Sequence, residues 1–474
     1  MIEVRLRRWV YMGDRNVAPP GARGIPLPIV GKTVIEIPQN SPLVCSSPLP
    51  PMKPALLKTL AIVLIGALAF LLGWHLLHGG WENLKEDWTG KYRPRPHPTR
   101  GALALGPDGY YWGVTYDSAA MPGYLYKMKA DGSGWKRVHT FRPDASSPVG
   151  LNPAGGLVSD GVDSLLGVTV NSTEGAGYDT IYKINVMTGE LTTLVEFTGE
   201  SGLSKGSNPE ATLVNDGMGS FWGSTTLGGT ADSGTIFKFS PATGMLTTVA
   251  LFPALPGSLW PRYGPMDKLV RDDQGHWWGT TYAGGKENEG TIFKVNAHTA
   301  ELTTVVEFTT GNGCQKPMAG LVNDGRGFLW GTCSGVGRDH GRVYKVDALA
   351  GGITTVVEFS GEGGSNPGRN SQAALVSDGH GFLWGSTLEG GSDNYGTIFK
   401  VDIVSGALTT LVEFEEKQSH HKGFYPQAPF VSDGHGAFLG TTEHGGKKDA
   451  GTIFKIDIAT GVLTTLVELG KVGP

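Results

Sequence analysis

The chain has 474 residues, with 39 Lys and Arg against 44 Asp and Glu, and 73 Gly. With its low charge and abundant Thr and Val, the chain is long enough for a large β domain with appendages. The net charge of −5 hides an asymmetry: residues 1–58 carry eight Lys or Arg against three acids, whereas residues 101–474 carry 26 against 38. So acidic a C-terminal region argues against nucleic-acid binding, which relies on neutralising phosphates.

Residues 1–54 form a Pro- and Gly-rich arm with apolar islands at Ile25–Val30 and Val34–Ile37. Its composition reads as a disordered tail or as an extended segment that orders against a partner. A start at Met52 is a third reading, since Met52-Lys53-Pro54 opens like an export signal. Residues 55–78 are expected to form a transmembrane signal-anchor helix. Its run Thr59–Leu77 holds no acid or base except neutral His75, and a helix of that length approaches the ~30 Å hydrocarbon core of a bilayer.

Ala67-Leu68-Ala69 would suit signal-peptide cleavage, but the apolar run continues past it, and Trp74 and Trp81 look like interfacial anchors. Eight basic residues before the span place the N-terminus in the cytoplasm and the rest on the periplasmic side of a bacterial inner membrane. Gly66, Ala69 and Gly73 share one helical face and permit close approach of another helix. Residues 79–100 read as a juxtamembrane connector. In it Trp81, Leu84 and Trp88 recur at helical spacing, and Arg93–Pro98 is expected to be an extended polyproline-like spacer.

From residue 101 onward one motif is written seven times, most clearly as ALVSDGHGFLWGSTLEGGSDNYGTIFKVDIVSGALTTLVEF over Ala374–Phe414. Its central glycine falls at Gly113, Gly167, Gly223, Gly279, Gly331, Gly385 and Gly440. Each copy has four short apolar or β-branched runs separated by turn residues. In the sixth these are Ala374–Val376, Phe382–Thr387, Thr397–Asp402 and Leu408–Phe414. One such sheet cannot bury both faces, and radial stacking of repeats can. The expected fold is all-β: a seven-bladed propeller of four-stranded antiparallel blades behind a single transmembrane helix. The blades span about 101–141, 156–197, 212–252, 268–308, 320–359, 374–414 and 429–469. Trp112, Trp222, Trp278, Trp330 and Trp384 would fill space between blades, with Leu166 and Leu439 in their place in the other two.

The ordered combination LV-x-DG, W-G-[ST]-T, GTIFK and LTTLVEF resembles the GloVer tandem-repeat family of exported bacterial proteins over Gly101–Leu469. The departure is greatest in the first repeat, where Val138-His139-Thr140-Phe141 replaces the LTTLVEF ending. The resemblance implies export and a repeat fold. It implies no activity, so no catalytic residue is carried over.

Short Asp-Gly and Thr-Gly turns would occupy one face of the propeller, and the Gly-Gly loops with the blade-to-blade connections the other. Function concentrates on variable loops held by a rigid scaffold. The side chains that break the repeat there are Trp260, Arg262, Tyr263, Arg338, Asp339, His340, His420, His421, Tyr425 and His444. Aromatic and Arg side chains are common interface anchors, and solvated loop residues are the plainer reading.

His420, His421 and His444 make a poor metal set, because adjacent His residues point apart on extended chain. Asp216, Asp324, Asp378 and Asp433 read as turn residues, since one carboxylate per turn falls short of calcium's needs. Lys127, Lys183, Lys238, Lys294, Lys345, Lys400 and Lys455 recur at one position and read as structural. No nucleophile motif, phosphate loop or cofactor signature is visible. Cys314 and Cys333 flank the Asp324-Gly325 turn, which brings them to one sheet edge. Export would allow them to form a disulfide, the alternative being two separate thiols.

Three functions follow. The first is a non-enzymatic scaffold tethered by one helix, an accessory subunit of a larger membrane complex. The second is a periplasmic or surface module for glycan or peptide, and the third a propeller hydrolase or lyase.

Overall fold

The computed structural model describes residues 101–116, 123–141, 150–170, 179–253, 264–312, 314–335, 339–415 and 423–470, and the backbone of 97–98. These residues form seven antiparallel sheets, one per repeat; six have four strands adjacent in space in chain order, and the first adds a fifth, His97–Pro98, beside its second strand. In the sixth blade the strands are Val376–Ser377, Phe382–Thr387, Thr397–Asp402 and Leu408–Glu413. The second, third and fourth lie where the sequence places them. The first pairs for two residues only; Ala373, Ala374 and Leu375 before it are buried, Leu375 in a cluster with Trp330, Val343 and Phe359 of the fifth blade. The closest strand approaches between sheets involve first strands, as between the first and second and the second and third blades. First strands therefore converge on the axis.

One boundary moves. His97 and Pro98 pair with Tyr116 and Thr115 of the first blade, so the last two residues of the expected spacer belong to the sheet. The span Thr59–Leu77, including Gly66, Ala69 and Gly73, lies outside the described residues. Among those described, no helix is long and apolar enough to cross a membrane.

The central glycine of every repeat has one physical cause. It faces an aromatic residue of the third strand, as Gly113 faces Tyr126, Gly331 faces Tyr344 and Gly385 faces Phe399. The far end of the ring lies against the glycine. A Cβ on Gly385 would sit 2.6 Å from Phe399 Cζ and 2.6 Å from Leu375 Cδ2. Overpacking of this kind typically costs about 1–3 kcal/mol. Gly385→Ala is accordingly expected to lower the unfolding free energy by about that amount. A melting point unchanged from wild type would show that the ring can move aside.

That same aromatic residue meets the neighbouring blade. The Phe that ends each LTTLVEF run packs against it edge-on, as Phe197 does on Phe237 at 5.3 Å and Phe308 on Tyr344 at 5.5 Å. At the last joint Leu469 takes the part of Phe, in a buried cluster with Tyr126, Tyr124 and Leu103 of the first blade. Tyr111 Oη adds a 2.9 Å hydrogen bond to the Ser432 carbonyl across that joint. Among the described residues the first and seventh blades share no strand, and packing joins them.

Candidate interaction face

The recurring polar residues are used inside the blades. In six blades the turn Asp accepts two backbone N–H bonds with one oxygen, as Asp324 does from Arg326 (2.8 Å) and Phe328 (3.1 Å). In the fourth, fifth and sixth blades its other oxygen takes the indole of the inter-blade Trp, whereas in the first Trp112 donates to the same Asp108 oxygen that accepts the Tyr110 N–H. Trp278 donates to Asp272 at 2.7 Å, Trp330 to Asp324 at 2.9 Å and Trp384 to Asp378 at 3.2 Å. The repeated Lys lies over that indole, with Lys294, Lys345 and Lys400 at 5.4, 5.5 and 5.7 Å from the ring centroids. The lysine also reaches the turn Asp directly in three blades: Lys455 to Asp433 at 2.7 Å beside Leu439, and, beside a Trp, Lys127 to Asp108 at 2.9 Å and Lys238 to Asp216 at 3.2 Å. Turn, tryptophan and lysine form one structural unit.

Asp216, Asp272 and Asp433 are held below the ordinary Asp value. Burial is the largest single influence and pushes each up, but the hydrogen bonds and cationic neighbours together outweigh it. A carboxyl with a depressed folded pKa stabilises the fold fully above its unfolded value of about 3.9, and that stabilisation fades as pH falls through the folded pKa. The melting temperature is thus expected to hold near neutrality and fall below about pH 4. The acid limb should be shallower in Asp433→Asn; equal slopes would deny Asp433 that role.

Strand order puts the short Asp-Gly turns on one face and the Gly-Gly loops with the blade connections on the other. On this loop-rich face lie the described symmetry-breaking residues. Asp339 caps the Gly341 N–H (3.0 Å) and pairs with Arg342 (3.5 Å). His340 stands over Gly361 and lines a cavity of about 430 Å³ together with Ser360, Glu362, Arg369 and Asn394. Tyr425 and His444 come together with Phe424 and Tyr395. His444 stacks on Phe424 at 5.2 Å, and Tyr425 lies 5.8 Å from both His444 and Tyr395. Tyr425 adopts φ 60°, where the third and sixth blades place Asn208 and Asn370, a residue type that tolerates this region better. Beside the cluster Gln427 hydrogen-bonds Glu443.

Trp260, Arg262, Tyr263, Arg338, His420 and His421 lie outside the described residues. Tyr395 was missed by the sequence reading, although it was visible as the aromatic residue before GTIFK where other blades carry Ser233, Glu289 and Ala450. Among the described residues no three His, Cys, Asp or Glu side chains gather as a metal site.

Cys314 and Cys333 form a disulfide, with Cα atoms 5.7 Å apart. Cys333 occupies the position where other blades pair two buried threonines, as Thr225 with Thr235 at 3.0 Å and Thr387 with Thr397 at 2.8 Å. In the fifth blade Arg342 faces Cys333 across the sheet, and the covalent bond replaces the hydroxyl pair.

Seven one-repeat blades around an axis, closed by side-chain packing, define a tandem-repeat β-propeller. The chain belongs to the Gloeobacter/Verrucomicrobia repeat family, whose profile matches residues 93–264 and 264–473. A comparison with curated proteins finds no match. Solved structures similar to it include a putative 6-phosphogluconolactonase from Bacteroides fragilis, 17% identical, with 76% of this chain on 94% of that one at a TM-score of 0.48. An oligogalacturonate lyase from Vibrio parahaemolyticus is 11% identical, with coverages of 77% and 90% and a TM-score of 0.48. The propeller domain of the Trilobed protease from Pyrococcus furiosus is 9% identical, with coverages of 79% and 99% and a TM-score of 0.46.

Proposed function

We propose that this protein is a non-enzymatic interaction scaffold anchored by one membrane helix. On this reading it is an accessory or stabilising subunit of a larger bacterial membrane complex, such as a respiratory or photosynthetic assembly, with the propeller on the periplasmic side. The observation that carries this reading is the division of labour between repeated and unrepeated residues. The repeated Asp, Trp and Lys are engaged within blades, while Asp339, His340, Tyr425 and His444 depart from the repeat on one loop-rich face. The buried disulfide supports an oxidising compartment. A glycan- or peptide-binding propeller is the second reading, favoured by the Tyr395–Phe424–Tyr425–His444 cluster beside Glu443 and Gln427.

Purification in mild detergent from the native membrane tests the first reading. Replacing Gly66 and Gly73 by Leu, or deleting residues 1–51, should weaken co-purification of a stoichiometric partner and leave the propeller folded. Unchanged co-purification in both variants would reduce the span to a tether and leave the glycan or peptide reading in its place.

A further inference from the structure

The seventh blade departs from the repeat at two positions that its backbone joins. Tyr425, in the chain entering the innermost strand, stands where other blades hold Asn152, Asn208, Gly264, Lys316 and Asn370. Glu443, just after the second strand Ala437–Thr442, stands where they hold Tyr116, Val170, Thr226, Tyr282, Ser334 and Leu388, none of them acidic. The Tyr425 N–H donates to the Tyr395 carbonyl at 3.1 Å, and the Glu443 N–H donates to the Tyr425 carbonyl at 3.0 Å. The sixth blade makes the same two bonds, from Asn370 to His340 and from Leu388 to Asn370, both at 3.1 Å. The backbone frame is therefore shared, and the side chains mounted on it are particular to the seventh blade.

These side chains form a half-buried aromatic surface beside a carboxylate. Tyr425 adopts φ 60°, a backbone region costly for a bulky residue. Tyr395 lies 5.8 Å from it, the two rings tilted at 44°. Phe424 touches both at 5.0 Å. It is braced in turn by buried His444, which stacks on it at 5.2 Å and lies 3.5 Å from Asp449. Separations of 5.0–5.8 Å put the rings in mutual contact, so they offer a surface to lie on rather than a cage around a cation. Gln427 donates its amide to Glu443. The pair sets donor and acceptor groups side by side, and a carboxylate accepts up to about four hydrogen bonds.

We propose that Tyr395, Tyr425, Gln427 and Glu443 bind a neutral saccharide of β-1,4-linked pyranoses whose substituents are all equatorial. Such a sugar ring carries axial C–H bonds on both faces and vicinal hydroxyls along its edge. The tyrosines receive the apolar face. Glu443 and Gln427 receive two neighbouring hydroxyls, each of which both donates and accepts. Peptide recognition draws instead on rows of main-chain groups, Arg clusters or apolar grooves. An acidic sugar is opposed by Glu443 within the site. The cations of the adjoining loop do not offset it, because they lie toward the outer, fourth strand: the Lys447 N–H bonds Glu468 at 3.2 Å, and Lys448 lies beside Gly470. This deepens the second reading, a glycan- or peptide-binding propeller, and rests on it.

The test is calorimetric titration of the full chain, in a detergent without a sugar headgroup. The probes are cellopentaose, its C6-carboxylated form, and the end-blocked peptide Gly-Ser-Thr-Ser-Gly. Cellopentaose should bind with a Kd of about 1 mM or tighter, and the carboxylated form at least about tenfold more weakly. The double variant Tyr425→Asn, Glu443→Leu installs the pair that the sixth blade carries on the same backbone bonds. It should keep the melting temperature and weaken cellopentaose binding at least about tenfold. Glu443→Gln alone should narrow the gap between the two sugars, and it serves as the test if the double variant fails to fold. No binding of cellopentaose, equal binding of both sugars, binding that survives the double variant, or a gap unchanged in Glu443→Gln overturns the proposal. If the peptide binds in the sugar's place and the double variant loses it, the second reading stands and the saccharide assignment falls. If neither sugar nor peptide binds, both fall.

Discussion

Trp278→Ala is expected to destabilise the propeller by about 3–5 kcal/mol, the usual range for removing a large buried aromatic side chain. Trp278 is fully buried between the fourth and fifth blades, against Leu321, Tyr344 and Val346 of the fifth. Its loss opens a cavity at that joint and also leaves Asp272 without its 2.7 Å indole donor. The size of the effect should depend on what replaces the ring. The second and seventh blades function with Leu166 and Leu439 at the equivalent position, both fully buried. Trp278→Leu is expected to recover part of the loss, because leucine refills some of the volume and Lys294 can approach Asp272 as Lys455 approaches Asp433. Chemical denaturation of the three proteins, with a common slope, measures both numbers. Alanine and leucine variants of equal stability would mean that volume at this joint is not what holds the blades together.

Breaking the disulfide is the second large effect. Cys314 and Cys333 are 19 positions apart, and closing a loop of that size is worth about 3 kcal/mol in the chain-entropy model. Cys333→Thr is the informative substitution, since threonine is what most other blades hold there. Even so, its hydroxyl would face Arg342 where those blades offer a second threonine. The paired hydroxyl bond is therefore not restored, and a loss of about 2–4 kcal/mol is expected. Reductant should lower the melting temperature of the wild type and leave Cys333→Thr unmoved. A wild type indifferent to reductant, with both thiols then alkylated, would show that the cross-link contributes nothing.

The repeat, the blade number and the strand order were all legible in the sequence, because each blade is made from contiguous residues. Local turn chemistry and short β-branched runs determine a four-stranded antiparallel sheet without reference to distant chain. The same locality explains why the Asp-Gly turns and the recurring Lys could be assigned as structural: their partners lie within their own repeat. Proximity across one turn likewise made the Cys314–Cys333 bond foreseeable. The central glycine was visible as a signature, but its cause was not, since the ring covering it is a cross-strand neighbour 14 residues on in the sixth blade.

What only the tertiary structure decided lies between blades, where residues of neighbouring repeats come together. The joint of Phe197 with Phe237, the closure of Leu469 on the first blade, and the meeting of Tyr395 with Tyr425 and His444 all depend on how neighbouring sheets are rotated about the axis. A groove along the outer strand of the third blade, Met245–Leu251, is of the same kind. Leu251 in place of Glu could be read from the sequence, but the groove and its border of Leu203 and Leu302 exist only once three consecutive repeats have packed.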